Sequence, residues 1–338
     1  MIKNRIRIKK SELGLIVLAL FCLYVIYQIF SPQFTTVAEK KFKIARGDNV
    51  FIIAQNLKLA GVIKDRLAFL TLTFLKASFL DLKAGQYAFE PGLDMVGVLN
   101  KIERGEALLG ENEVYLGIAE GLNLKEVSGR INEIGPANIN LTQIKATNFT
   151  HRFTWLSGLI NAKFDTLEGF LFPDTYRIEK GTDINAVVRK VLKNFDAKTA
   201  GPRKEALALG KNFYDVVIMA SILEKEVPVK DMPVAAGVLW KRIKIGMPLQ
   251  VDATLVYALG RPIKTIDTKT LNSPYNTYQY KGLPPTPISN PGLAALNAAL
   301  HPVASDYLFY ISNPADKSTI FSKTAEEHNL ARAKYLGN

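Results

Sequence analysis

Cysteine is almost missing from this chain: among 338 residues there is one, Cys22. No intramolecular disulfide can form, so the fold depends on its apolar core and not on covalent staples. Histidine is scarce as well, with His151, His301 and His328 far apart. There is no H-E-x-x-H or C-x-x-C, no G-x-S-x-G elbow and no phosphate-binding glycine loop. Those absences argue against a zinc hydrolase, a serine acyl-transfer enzyme and a nucleotide-dependent enzyme. No metal or cofactor is expected. Low-complexity tracts are also lacking, and the length allows two or three compact units.

Acidic residues are lacking at the start. Lys3, Arg5, Arg7, Lys9 and Lys10 form a basic leader, followed by LGLIVLALFCLYVIYQIF at 13–30. That run is apolar apart from Gln28, and as a helix it is long enough to cross a hydrocarbon core with little tilt. A basic leader before a first span places the N-terminus in the cytoplasm and the remainder outside. The alternative is a cleaved signal peptide, but SPQFTTVAEK offers only a poor small-x-small cleavage site. The net charge is +12, of which roughly +8 lies beyond residue 30. Such a surface suits nucleic acid, anionic lipid or an acidic wall polymer. An outward-facing chain excludes nucleic acid and leaves the cell wall within reach.

Two segments echo each other. IARGDNVFIIAQNL at 44–57 and IAEGLNLKEVSGRI at 118–131 share the pattern I-A-x-G-x-N-[VL]-x-x-[IV]-[AS]-x-x-[LI]. Each reads as a strand passing through glycine into a helix. The first continues through a helix near 65–76, an extended KAGQYAFEPG, and a helix after Asp94 with Val96, Leu99 and Ile102 apolar. This 42–106 module has a strand–helix–helix–strand order resembling the LysM fold, which holds N-acetylglucosamine polymers. A plain packing module explains the pattern equally well.

The remainder is expected to be a mixed α+β domain. Helices are predicted near 184–198 and 203–209, then through VIMASILEKE up to Pro228, and over 231–244 with Val234, Val238, Leu239 and Ile243 inward. GMPLQVDATLVYALG leads into a further helix and then a proline-rich loop. A helix over LAALNAALHP, short strands at YLFYIS and STIFS, and a helix from 325 complete the chain. The expected organisation is a cytoplasmic 1–12, a membrane helix 13–30, a LysM-like module 31–110 and a catalytic domain 111–338.

Within VIMASILEKEVP, helical spacing puts Val216, Met219, Ile222 and Leu223 on one face. Glu226 falls about 20° from Met219, inside that apolar stripe, whereas Glu224 lies roughly 140° away. Pro228 ends the helix, so Glu226 sits in its last turn near the negative end of the dipole. Burial and that position both raise a carboxyl pKa, which suits a general acid. The bland alternative is a structural glutamate paired with Lys241 or Arg242. Secondary candidates are Glu224 as a neighbour or a solvated helix residue, and Gln250 and Asp252 as helix caps or sugar contacts. Asn276 and Tyr278 would be held toward a groove by a proline-flanked loop, with Tyr278 favoured for stacking on sugar. Glu168 either orients the site or bonds to backbone.

The string ASILEKE, followed by KRIKIGMPLQVDATLVYALG, SPYNTYQYKGLPPTPISNPG and LNAALHP, resembles the MltG/YceG family of membrane-anchored endolytic murein transglycosylases. LEGFLFPDTY upstream and TIFSKTAEEHN at the end fit the same family, so the resemblance covers nearly the whole chain. It implies one N-terminal span, a LysM-like module and an outward catalytic domain that cuts the bond between N-acetylmuramic acid and N-acetylglucosamine. The family's catalytic glutamate, the second of E-K-E, maps onto Glu226. The chain departs from the family at Val227 and Pro228, at Ala253 where proline is usual, and at Thr286-Pro287 where Gly-Ala is usual. None of these removes a carboxylate. The implied partners are peptidoglycan strands, the membrane and peptidoglycan synthases. Two competitors remain: a non-catalytic wall-binding scaffold, and a hydrolase whose product is heavier by one water.

Overall fold

The computed structural model describes residues 10–35, 38–45, 47–78, 82–106, 108, 112–135, 138–160 and 163–337. Most of the expected basic leader, residues 1–9, lies outside them. The chain divides into two compact units, Met1–Asn112 and Glu113–Asn338.

The first unit opens with α1 (Lys10–Phe30). Among the described residues no single helix is long and apolar enough to cross a membrane; within α1 the apolar helix is Ala19–Phe30. Its last turns pack on the unit, with Val25 and Ile29 buried in the same core as Phe69, Leu72 and Met95. Strand β1 (Lys40–Ile44) leads to α2 (Val50–Leu59) and α3 (Arg66–Leu75). Strand β2 (Gly85–Phe89) then pairs antiparallel with β1, Phe42 opposite Tyr87, and α4 (Met95–Arg104) closes the unit. The Asp94 carboxylate accepts from the Gly97 amide at 2.7 Å, capping α4 as its position predicts.

The second unit begins with β3 (Glu113–Ile118) and α5 (Leu124–Ile134). The two echo segments fold alike. Each strand passes a left-handed glycine, Gly47 at φ 94° and Gly121 at φ 78°, into a helix capped by asparagine, Asn49 or Asn123. Two 3-10 turns and α6 (Thr154–Ser157) lead to β4 (Asp174–Glu179), antiparallel to β3.

Then comes α7 (Ile184–Ala208), one helix where the spacing predicts two, with Pro202 inside it. Pro202 removes one backbone donor. Burial on both sides of it, from Val187 to Phe195 and again at Ala206, keeps the helix continuous.

Helix α8 (Phe213–Glu226) forms the axis of the unit. Every residue from Val216 to Leu223 is buried, so this stretch has no solvent face and the single apolar stripe expected from spacing is too narrow a description. Each large side chain there contributes about 1.5–3 kcal/mol on burial. Around it lie α9 (Met232–Lys244), α10 (Asp252–Leu259), α11 (Asp267–Thr270) and α12 (Leu293–Leu300). On α9, Val238 and Leu239 are buried as expected, but Val234 and Ile243 are only half-buried. Strands β5 (Phe309–Ser312) and β6 (Thr319–Ser322) form a hairpin-like ribbon, and α13 (Ala325–Leu336) ends the unit.

Candidate active site

Helix α8 stops at Glu226 because Val227, ahead of Pro228, is extended at φ −140° and ψ 152°. Strand β5 docks there, and the Ser312 hydroxyl donates to the Glu226 carbonyl at 3.2 Å, satisfying one of the helix's open acceptors. The Glu226 side chain is half-buried. Its Oε1 accepts from the Ala253 amide at 3.2 Å and its Oε2 from the Tyr310 hydroxyl at 3.4 Å. Neither expected counter-ion reaches it. Lys241 donates to the Ser305 carbonyl, and Arg242 to the carbonyls of Leu308 and Leu249. Burial therefore dominates, and with the nearby Asp252 charge it pushes the Glu226 carboxyl up to about 7, against the pull of its two donors.

Two cavities meet at this carboxyl. One, about 610 Å³, is walled by Gln250, Tyr278, β5 and α13. The other, about 1110 Å³, is walled by α10, Glu168, Tyr257 and Tyr275. Lys225, Glu226 and Asp252 line both, so the acid lies at the middle of a groove open on either side. A third cavity, about 590 Å³, runs along β3 and β4 and contains none of the candidate residues.

The other candidates separate clearly. Asp252 opens α10 but caps nothing; it accepts from the Tyr278 hydroxyl at 2.5 Å, and both line the smaller cavity. Gln250 lines the same cavity from a left-handed backbone, φ 53°, with its amide donating to the Thr277 carbonyl at 3.0 Å. A non-glycine residue in that conformation is strained, and the surrounding bonds hold it.

Glu168 both bonds to backbone and lines the larger cavity. Its carboxyl is 1 % exposed and takes hydrogen bonds from the Leu124 amide (3.1 Å), the Tyr257 hydroxyl (3.1 Å) and Asn290 Nδ2 (3.4 Å). Burial pushes it up to about 8.

Asn276 and Glu224 lie away from the groove. Asn276 is fully buried, and its Nδ2 donates to the carbonyls of Leu271 (2.9 Å) and Thr268 (3.2 Å), so it folds the loop and lines neither cavity. A proline-flanked loop restrains its polar side chains, but the nearest unsatisfied carbonyls claimed this one. Glu224 accepts from the Gly292 amide at 2.9 Å at the start of α12, so it joins two helices and lines neither cavity.

Tyr310, Asn290, Tyr257 and the Ala253 amide were not singled out by sequence. Asn290 is a hub: it donates Nδ2 to Leu122 O (2.8 Å) and accepts from the Leu171 amide (2.8 Å). The proline after it in SNPG was the one local signal. Tyr310 stands in an apolar strand pattern that gives no hint of its partner.

Comparison with known proteins places this geometry. The YceG-like family model matches residues 42–334. The endolytic murein transglycosylase of Bacillus subtilis (strain 168) is 29% identical over 308 residues, covering 87% of this chain and 84% of its own length. The endolytic murein transglycosylase of Streptococcus pneumoniae serotype 2 (strain D39 / NCTC 7466) is 27% identical over 322 residues; the match covers 87% of this chain and 58% of that relative. A crystal structure of a yceG-like protein from Listeria monocytogenes has a TM-score of 0.59 at 30% identity, covering 88% of this chain and 100% of that one. With a match running from β1 through to α13, the chain belongs to the YceG-like family.

Proposed function

We propose that this protein is an endolytic murein transglycosylase that cuts the bond between N-acetylmuramic acid and N-acetylglucosamine within glycan strands and leaves a 1,6-anhydro end. The activity is supported by the relatives of that name, which match most of the chain. The observation that carries the chemistry is one carboxyl group, Glu226, held at about 7 in the middle of a two-sided groove.

Conventional glycosidases need two carboxyl groups, one as acid and one as nucleophile or base. A lytic transglycosylase works with one. Glu226 gives its proton to the glycosidic oxygen as the bond from that oxygen to muramyl C1 breaks. The 2-acetamido group steadies the positive charge at C1. Glu226, now a carboxylate, takes the proton of the sugar's own 6-hydroxyl while that oxygen bonds to C1. The 1,6-anhydro ring closes, no water is consumed, and the acid is restored. A pKa near neutrality suits a group that must both give and regain a proton. The Ala253 amide and Tyr310 hydroxyl would stabilise the carboxylate between the two steps.

Residues 13–30 would act as a single membrane anchor with the N-terminus in the cytoplasm; the basic leader and apolar run support this. The first unit would hold wall polymer in the manner of a LysM module, a reading supported by its strand–helix–helix–strand order. Tethered beside the bilayer, the enzyme would meet newly made strands near their synthases and set their length. Product analysis by mass spectrometry tests the central reaction. Wild type should release anhydro-ended fragments and Glu226→Gln, still folded, should not. Fragments heavier by one water would mean a hydrolase, anhydro fragments from Glu226→Gln would remove this carboxyl from the reaction, and no fragments from wild type would leave a wall-binding scaffold.

A further inference from the structure

The smaller arm of the groove contains two arginines, Arg242 and Arg332, that form no ion pair among the described residues. Arg242 is buried, 5 % exposed, yet has no ion pair among the described residues. Its Nε and Nη1 donate to the carbonyls of Leu308 and Leu249, both at 2.6 Å, and its guanidinium lies over the Phe309 ring at 5.1 Å. A buried cation with only neutral partners is costly to hold, and an arriving anion offsets that cost.

Facing it, α13 presents Arg332, exposed and without a hydrogen bond or ion pair among the described residues. Beside it His328 stacks on Phe309 at 5.1 Å, with a buried Nδ1 that has no partner. All of these line the cavity that also contains Glu226. Asp252, on the same cavity, offsets part of this charge, but its carboxylate is engaged by the Tyr278 hydroxyl and forms no ion pair with either arginine among the described residues.

We infer that this arm binds a carboxylate carried by the glycan, with Arg332 as the principal contact and Arg242 and His328 behind it. Sugar hydroxyls alone give no reason for such a cluster, whereas a guanidinium fork matches a carboxylate. The inference rests on the substrate being a muramyl glycan. Such a strand offers two sources: the lactyl ether acid, free where no peptide is attached, and the acids of the attached peptide.

The test measures binding in a chain that cannot cut. Full-length Glu226→Gln in detergent micelles is titrated by fluorescence anisotropy with labelled strands, peptide-bearing or peptide-free, each with its carboxylates free or amidated. One of the two free-acid strands should bind about tenfold more tightly than its amidated form. That strand identifies the source of the acid. Adding Arg332→Gln should reduce the preference to nearly one while leaving amidated strands unaffected, and Arg332→Lys should restore part of it. Equal binding of free and amidated strands, or a preference that survives Arg332→Gln with an unchanged melting temperature, would overturn the inference. Failure of the cleavage reading would be seen separately, in the products of the wild-type chain.

Discussion

Glu226 and Glu168 line one groove, and loss of solvation raises both carboxyls, to about 7 and about 8. Their consequences differ because only Glu226 sits at the junction of the two cavities. The first chemical step needs its protonated form, so kcat/KM should fall as pH rises through about 7, approaching tenfold per unit; initial rates of anhydro-end release measure this. Replacing Glu226 by Gln should lower the rate by at least about 10²–10⁴-fold. Tyr310→Phe deletes a bond that stabilises the charged carboxylate. The same limb should therefore move to higher pH.

For Glu168 the readout is stability. Its folded pKa lies above the unfolded one, so the folded state binds more protons between about 4.5 and about 8, and stability is lost as pH rises through that window. The loss should be on the order of 3 kcal/mol by pH 7. Urea titrations of wild type and Glu168→Gln at pH 5 and 8 should show a smaller dependence in the second, the remainder coming from Glu226, whose carboxyl is also raised.

At this scale the candidate acid was readable because its place in the apolar stripe and in the last turn is set by its own helix and by Pro228, both local. Tyr310 was not, since it reaches Glu226 from 84 residues away. Asn276 and Glu224 were assigned to the site because sequence identifies a polar group but not the carbonyl or amide that will engage it.

Between elements, close approach decides more than helix or strand preference. Gly169 has φ 87°, and a Cβ there would lie 2.5 Å from Pro287. Thr286, beside that proline, shares a 2.7 Å hydrogen bond with the Tyr275 hydroxyl. Thr286-Pro287, the departure from the family pattern, is thus accommodated by a glycine more than a hundred residues earlier. Gly169→Ala should cost about 3 kcal/mol, from left-handed strain and the clash together. Adding Pro287→Gly, which removes both the Cγ and the Cβ that the new methyl would meet, should relieve most of the clash but not the strain, a coupling that a double-mutant cycle in denaturant would measure. Helix ends and glycine turns were legible here because their signals lie within a few residues. The continuity of α7 through Pro202 was not, because it depends on what the far half buries.

At the scale of the molecule, the described residues form three separate two-stranded sheets in place of one continuous sheet. The second unit is organised around α8 instead, and residues 121, 253, 289, 292, 310 and 312 all bond to its C-terminal half. Local patterning identifies such elements one by one, but their convergence is a property of packing. The proposed anchor makes its prediction at this scale too. A chain beginning at residue 31 and delivered to the same compartment should yield a broader distribution of glycan lengths than the full chain, as read by chromatography of released strands. Identical distributions would show that tethering is irrelevant.

One wall of the acid's cavity comes from β5 and α13, more than eighty residues further along the chain. A copy cut before residue 305 lacks that wall and its tyrosine donor, and leaves Glu226 more open to water. Such a carboxyl loses part of the desolvation that keeps its proton at neutral pH. The helix that carries the acid and the hairpin that shelters it are thus separate parts of the chain, and a nick between them should blunt the enzyme without touching its carboxyl.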